Sequence, residues 1–419
     1  MGVVIAILKA YFIFSVILVL LYSIRHVIFT MNRTYGDQKM YYNDIEATYM
    51  PSISVLIPMH NEEKVLHFVL DSLLKCDYDS DKIEIIPIND NSSDRTKEML
   101  DEYASRYPII KPLHRQGGVR GKPAGLNDAM AIAKNEIAII FDADYRPGVN
   151  LLKVLAAAFV DPKIGAVMGR VVPYNTNTNM LTRLLNMERT GGYQADQQAR
   201  YNMGLIPQYG GTTGAFRREL IRETGGFNVK ILAEDTELTM RLYTKGYKVA
   251  YANMAECYEE VPETWKVRST QIRRWARGHN TVMFRYTHKV LLSSKLSFKE
   301  KIDGLMLLLV YAMPFILLLA QLVCIALFFY GEMNIFVSTW TILFIGIYNS
   351  FGNFAPFYEI ATAAMMDGTT KDVFLLPLLS FNFYFYMYAI TMGFIDALGD
   401  LVTGRSVVWN KTVRFIKRD

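Results

Sequence analysis

The chain has 419 residues, 51% hydrophobic and 20% charged, with 45 Lys and Arg against 40 Asp and Glu and only 3 Cys. Together with a mean hydropathy of +0.14, this excludes a disordered chain, a collagen-like repeat and a disulfide scaffold. The apolar excess is concentrated at the two ends, so segments say more than the average.

In chain order, residues 2–24 are apolar except for Lys9 and stop at Arg25-His26. No small-residue cleavage site follows, so this stretch reads as a retained membrane anchor. Strand-like runs follow at 52–58, 82–88 and 136–141, with a short strand near Ile109 and helical patterns over 95–106 and 123–134. Strand-then-helix alternation predicts an α/β domain with a parallel sheet covered on both faces. In such sheets ligands bind outside the carboxyl ends of the strands. Asn61, Glu62, Asp90, Asp142 and Asp144 gather there, as for a nucleotide site.

Asp142 and Asp144 follow a buried strand two residues apart, so both can meet one divalent cation on phosphate oxygens; a solvated turn is the competing reading. The glycine-rich 117–122 loop ends at Lys122 and opens a helix, which suits an anion, although it lacks the P-loop spacing. Gly211, Thr212 and Thr213 combine permissive backbone with small hydroxyls, suited to the close approach of a sugar. Glu234 and Asp235 open another helical pattern, where capping alone would explain them. Gln271, Arg274 and Trp275 stand at i, i+3 and i+4, so an amide, a guanidinium and an indole share one helix face. That face fits a sugar diphosphate and a sugar ring; a packed Trp beside a salt-bridged Arg is the alternative.

Toward the C-terminus, residues 304–331, 333–358 and 373–395 carry no charge, and each exceeds the roughly 20 apolar residues that cross a bilayer. The basic tail (Arg405, Lys411, Arg414, Lys417, Arg418) predicts a cytosolic end and a cytosolic insert. Both on one side require an even number of crossings after Asp303. One run must therefore be broken at Pro314, or 373–395 must lie partly in the interface. Cys76, Cys257 and Cys324 lack metal-ligand spacing and read as reduced thiols.

Asn89-Asp90, Asp142-x-Asp144, Glu234-Asp235 and Gln271-x-x-Arg274-Trp275, in this order between apolar ends, resemble the processive family 2 glycosyltransferases, which include cellulose, hyaluronan, curdlan, mannan and poly-N-acetylglucosamine synthases. Val261-Pro262-Glu263-Thr264 and Trp409-x-x-Thr412 fit the same pattern. The resemblance implies a GT-A fold, Rossmann-like with a mixed, largely parallel sheet, in the cytosol of a multi-pass plasma-membrane protein. It implies an anchor over 1–30, a glycosyltransferase domain over 31–285, an amphipathic interface helix over 286–303, channel helices over 304–398 and a cytosolic tail over 399–419. By the same resemblance, Asp235 is the catalytic base and Asp144 holds Mg²⁺ or Mn²⁺. Asn61, Glu62, Asp90, Lys122, Asp142, Gln271 and Arg274 bind the nucleotide sugar, and Gly211, Thr212, Thr213, Glu234 and Trp275 bind the acceptor. The Gly211–Thr213 loop, with Asn175, Leu181-Thr182-Arg183 and Gln197-Gln198, looks like that of glucan and mannan synthases. The implied function is processive, inverting polymerisation of UDP-glucose into a β-glucan carried across the bilayer, with accessory secretion subunits as partners and no nucleic acid. The alternatives are a poly-β-N-acetylglucosamine or mannan synthase using UDP-GlcNAc or GDP-mannose, or a non-processive transferase acting on a lipid.

Overall fold

The computed structural model describes residues 2–39, 45, 48–332 and 354–405; Trp409, Thr412, the basic residues beyond Arg405 and most of the 333–358 run lie outside them. Strands β1 (Ile53–Met59), β2 (Ile83–Asp90), β3 (Leu113–Arg115), β4 (Ile137–Ile140), β5 (Arg146–Pro147), β6 (Ile164–Pro173), β7 (Gly214–Arg217) and β8 (Lys248–Glu259) form one sheet in the order β3-β2-β1-β4-β7-β6-β8-β5. Strands β2 and β4 are buried throughout and β1 nearly so, which is why they read as continuous apolar runs. Alternate side chains serve opposite faces. Ile53, Val55, Ile57, Ile85 and Ile139 join one core with helices Leu66–Leu74 and Leu151–Ala157. Leu56, Ile86, Ile88 and Ile140 join the other with helices Lys122–Ile132 and Glu234–Thr244.

The sheet is mixed, with four parallel and three antiparallel pairings among the described residues. Strand β1 pairs in parallel with β2 and β4, β2 with β3, and β6 with β8. Strand β7 runs antiparallel to both β4 and β6, and β5 to β8. The strand–helix alternation that demands parallel crossovers holds only as far as β4. After it the chain makes a long excursion, through β5, β6 and a helical arm, before β7 returns beside β4. Near Ile109 there is only an isolated bridge, Ile85 to Ile110, and the strand itself starts at Leu113.

Two long apolar helices near the chain ends, Gly2–Tyr35 and Thr370–Thr403, flank this α/β core and have the length and composition to cross a membrane. Helices Phe298–Leu309 and Met313–Phe329 meet that description only as a pair, bent by 75°. Pro314 lies in the first turn of the second, where its missing N–H costs nothing. The 304–331 run is thus broken beside Pro314. The single interface helix expected over 286–303 is instead the end of helix Trp265–Leu292 and the start of Phe298–Leu309. The division arises because Ser297 and Glu300 form a capping box, with the Ser297 N–H donating to Glu300 Oε2 at 2.9 Å, and start a new helix.

Candidate active site

One cavity of about 610 Å³ opens where β4 ends, and Lys122, Asp142, Asp144, Gly211, Thr212, Glu234, Asp235, Gln271, Arg274 and Trp275 all line it. Residues expected from widely separated stretches are therefore brought together. Buried β4 delivers Asp142 and Asp144 at its carboxyl end. The Asp142 N–H donates to Thr212 Oγ at 3.1 Å, which ties this turn to the loop before β7. Lys122 opens its helix and donates to Asp142 Oδ1 at 2.7 Å. Burial opposes the Lys122 charge, but Asp142, Glu234 and Asp235 outweigh it and hold the ammonium pKa above its usual value.

Helix Glu234–Thr244 starts at the cavity wall, with Glu234 and Asp235 in its first turn. The Thr236 N–H donates to Asp235 Oδ1 at 2.6 Å, which fixes the carboxylate at the positive end of the helix. Burial, followed by the adjacent Asp235 charge, pushes Glu234 up to about 7. Gly211 has φ +75°, and a Cβ built there lies 3.2 Å from Asp235 Cβ and 3.4 Å from its Oδ2. Gly211→Ala is expected to cost about 1 kcal/mol of stability through the left-handed backbone and to lower turnover by displacing the carboxylate. A thermal melt and a sugar-transfer assay on the same preparation check both, and unchanged turnover would show that the loop does not set the Asp235 position.

Gln271, Arg274 and Trp275 project from helix Trp265–Leu292, which Thr264 caps. The indole lies beside two guanidiniums, Arg189 at 5.3 Å and Arg268 at 5.1 Å from its ring. It also packs against Tyr386 and Ala389 of the last long helix. Arg268 donates to Gln271 Oε1 at 2.9 Å and to Glu188 Oε2 at 2.7 Å, and Asn382 reaches the other Glu188 oxygen at 2.6 Å. Arg189 in turn donates to Glu259, which also accepts from Tyr145 at 2.7 Å. The wall under the indole thus holds two polar clusters, one of them tied to the last apolar helix through Asn382.

Asn61, Glu62, Asp90 and Thr213 do not line the cavity. The Asn61 and Glu62 N–H groups donate to Ser92 and Thr96 hydroxyls, each at 2.9 Å, and lock the ends of β1 and β2 together. Asp90 pairs with Arg115 at 2.5 Å and accepts from the Gly121 N–H at 2.8 Å. It therefore reaches the cavity through the loop that presents Lys122.

Several lining residues carry no motif. His279 stands one turn beyond Trp275 on the same face, within 3.2 Å of Thr236 Oγ, and its ring lies 4.5 Å from that of Tyr311. Burial lowers the His279 pKa, with Asp235 opposing, so the ring sits neutral behind the base candidate. The i+4 spacing was the available signal. Tyr193 and Asp196 come from a π-helical turn, Gly191–Gln197, inserted after helix Met180–Thr190; the wider turn shifts the face presented, and nothing in the residue pattern announces it.

A divalent cation fits this donor set in one way. Among the described residues no three His, Cys, Asp or Glu side chains form a metal cage. Asp144, buried in the cavity wall, offers a hard carboxylate, and substrate phosphate oxygens would supply the remaining ligands.

Residues 51–278 match the family described as "Glycosyltransferase like family 2". The chain is 38% identical over 240 residues to "Probable glycosyltransferase YdaM" of Bacillus subtilis, a match covering 57% of each chain. It is 29% identical over 273 residues to a beta-monoglucosyldiacylglycerol synthase of Synechocystis, covering 65% of this chain and 57% of that one. The matches thus span less than two thirds of these curated relatives. The fold is similar to that of mannosyltransferase PcManGT from Pyrobaculum calidifontis, solved with GDP-Man and Mn²⁺, with a TM-score of 0.59, 22% identity, and coverage of 85% of this chain and 98% of that one. The expected processive synthase, with its β-glucan product, cellulose-synthase likeness and polysaccharide translocation, is corrected by these relatives: the Synechocystis enzyme is named for a diacylglycerol carrying a single glucose. The chain belongs to the glycosyltransferase-like family 2.

Proposed function

We propose that this protein is an inverting hexosyltransferase that moves one sugar from a nucleoside-diphosphate donor to a hydroxyl of a membrane lipid. The observation that carries the reading is the shared lining of the cavity. Asp144, Asp235 and Arg274 line it together with Tyr22 and Arg25 of the first apolar helix and with Met306 and Leu307 of the bent pair. A lipid acceptor needs that juxtaposition, because its hydroxyl must reach an aqueous donor while its tails stay in the bilayer.

In the proposed reaction Asp235 accepts the proton of the acceptor hydroxyl as the oxygen attacks the anomeric carbon, and the bond to the diphosphate breaks. Direct displacement inverts the anomeric configuration. Lys122 and Arg274 stand where positive charge meets the departing diphosphate. A divalent cation, Mn²⁺ or Mg²⁺, held by Asp144 would supply further charge neutralisation there. Trp275 offers a flat face to a sugar ring. Asp90, through Gly121, holds the loop that carries Lys122, and Asn61 and Glu62 brace the neighbouring strand ends.

The test is incubation of the full chain in lipid nanodiscs with each labelled UDP-hexose and with GDP-mannose, followed by solvent extraction. The expected label is in the lipid phase as a monoglycosylated product. Label confined to a water-soluble polymer would overturn the reading.

A further inference from the structure

The cavity has an end that the donor chemistry does not use. There Arg25 of the first apolar helix pairs with Asp196 of the π-helical turn. Asp196 also accepts from Arg200 Nε at 2.6 Å, and Arg200 donates to Asp303 at 2.7 Å. The four groups form a linear chain of two cations and two anions, with side-chain exposures of 10% for Arg25, 22% for Asp196, 2% for Arg200 and 4% for Asp303. Within it Arg25 Nε is buried and has no hydrogen-bond partner among the described residues. Met306, Leu307 and Val310 line the same cavity and are apolar.

This end is wired to the base. Gln197, next to Asp196, accepts from the Gln208 N–H at 2.9 Å. The Gln208 amide donates to Thr236 Oγ at 2.9 Å, and the Thr236 N–H donates to Asp235. The π-helical turn therefore positions one residue for the ion chain and the next for the support of Asp235.

We propose that the Arg25–Asp196 pair is a docking subsite for the uncharged, hydroxyl-bearing headgroup of the acceptor lipid, whose apolar part lies against Met306, Leu307 and Val310. The inference rests on the lipid-acceptor reading above and adds the acceptor's charge class. An ester oxygen of the headgroup can accept from Arg25 Nε without opening any ion pair, which leaves the free hydroxyl to donate to Asp235. A phosphate placed there would face the Asp196 carboxylate and would have to compete with it for Arg25 and Arg200, whose pairs are already desolvated.

The experiment compares diacylglycerol with phosphatidylglycerol and phosphatidylinositol, which carry free hydroxyls beside a phosphate, as acceptors for the full chain in nanodiscs, with the same labelled donor. Diacylglycerol is expected to be used at least about tenfold more efficiently than either phosphate-bearing lipid. Asp196→Asn, which removes one negative charge from the chain of four, is expected to narrow that ratio. Should this variant not fold, Arg25→Gln is read instead, and is expected to raise KM for diacylglycerol by about tenfold while KM for the donor moves less than twofold. Equal or better use of phosphate-bearing lipids by the wild type, or a shift in donor KM rather than acceptor KM in Arg25→Gln, would overturn the subsite. Efficient single glycosylation of phosphatidylglycerol would remove the subsite and leave the proposed function standing, whereas polymer without lipid product would remove the function itself.

Discussion

Asp235→Asn is expected to lower kcat by about 10²- to 10⁴-fold, the range over which a positioned base contributes. The amide keeps the shape of the carboxylate and can still accept from the Thr236 N–H that holds Oδ1 at 2.6 Å, so the helix start should survive. Donor binding should survive too, because Lys122 and Arg274 reach the cavity from other elements. Single-turnover transfer with calorimetric donor titration separates the two effects. Near-wild-type transfer in Asp235→Asn would move the base to another residue, and loss of donor affinity would make Asp235 a binding group.

Asp144→Asn is the second large effect, expected to cost about 10²-fold or more in transfer and to abolish the response to added Mn²⁺ or Mg²⁺. The side chain is only 2% exposed, and an amide supplies one neutral oxygen where the carboxylate supplied charge. Asp142 is poorly placed to substitute, since Lys122 already occupies its Oδ1 at 2.7 Å. Metal titration monitored by Mn²⁺ spin resonance, with and without nucleoside diphosphate, checks this separately from turnover. Retained nucleotide-dependent Mn²⁺ binding in Asp144→Asn would assign the cation to other groups.

The strands were legible because β1, β2 and β4 are buried on both faces and so carry unbroken apolar runs ending in polar residues. Asp142 and Asp144 followed from that pattern, as did Asp235 and Trp275 from helix starts and helical spacing. The resemblance implies a mixed sheet, but which strand runs antiparallel is not legible, because the return of β7 beside β4 is decided by packing around the long excursion between them. Arg25 was read only as the end of an anchor; its pairing with Asp196 depends on a π-helical turn that no residue type signals. Product length is where the motifs mislead. Gln271, Arg274 and Trp275 line the cavity together, and a surface proposed for a diphosphate and a sugar ring serves one transfer as well as many. The Trp275 wall is closed by Arg189, Arg268 and Tyr386, which a motif cannot reveal.

The measurement that bears most directly on a single cavity serving both donor and lipid is an experimental structure of the full chain in nanodiscs with a non-hydrolysable nucleotide sugar, a divalent cation and diacylglycerol. The account predicts the diphosphate between Asp144 and Arg274, with the lipid hydroxyl at Asp235 and its ester group at Arg25. Donor density away from Asp144 and Arg274, or a lipid headgroup with no path to Asp235, would contradict it.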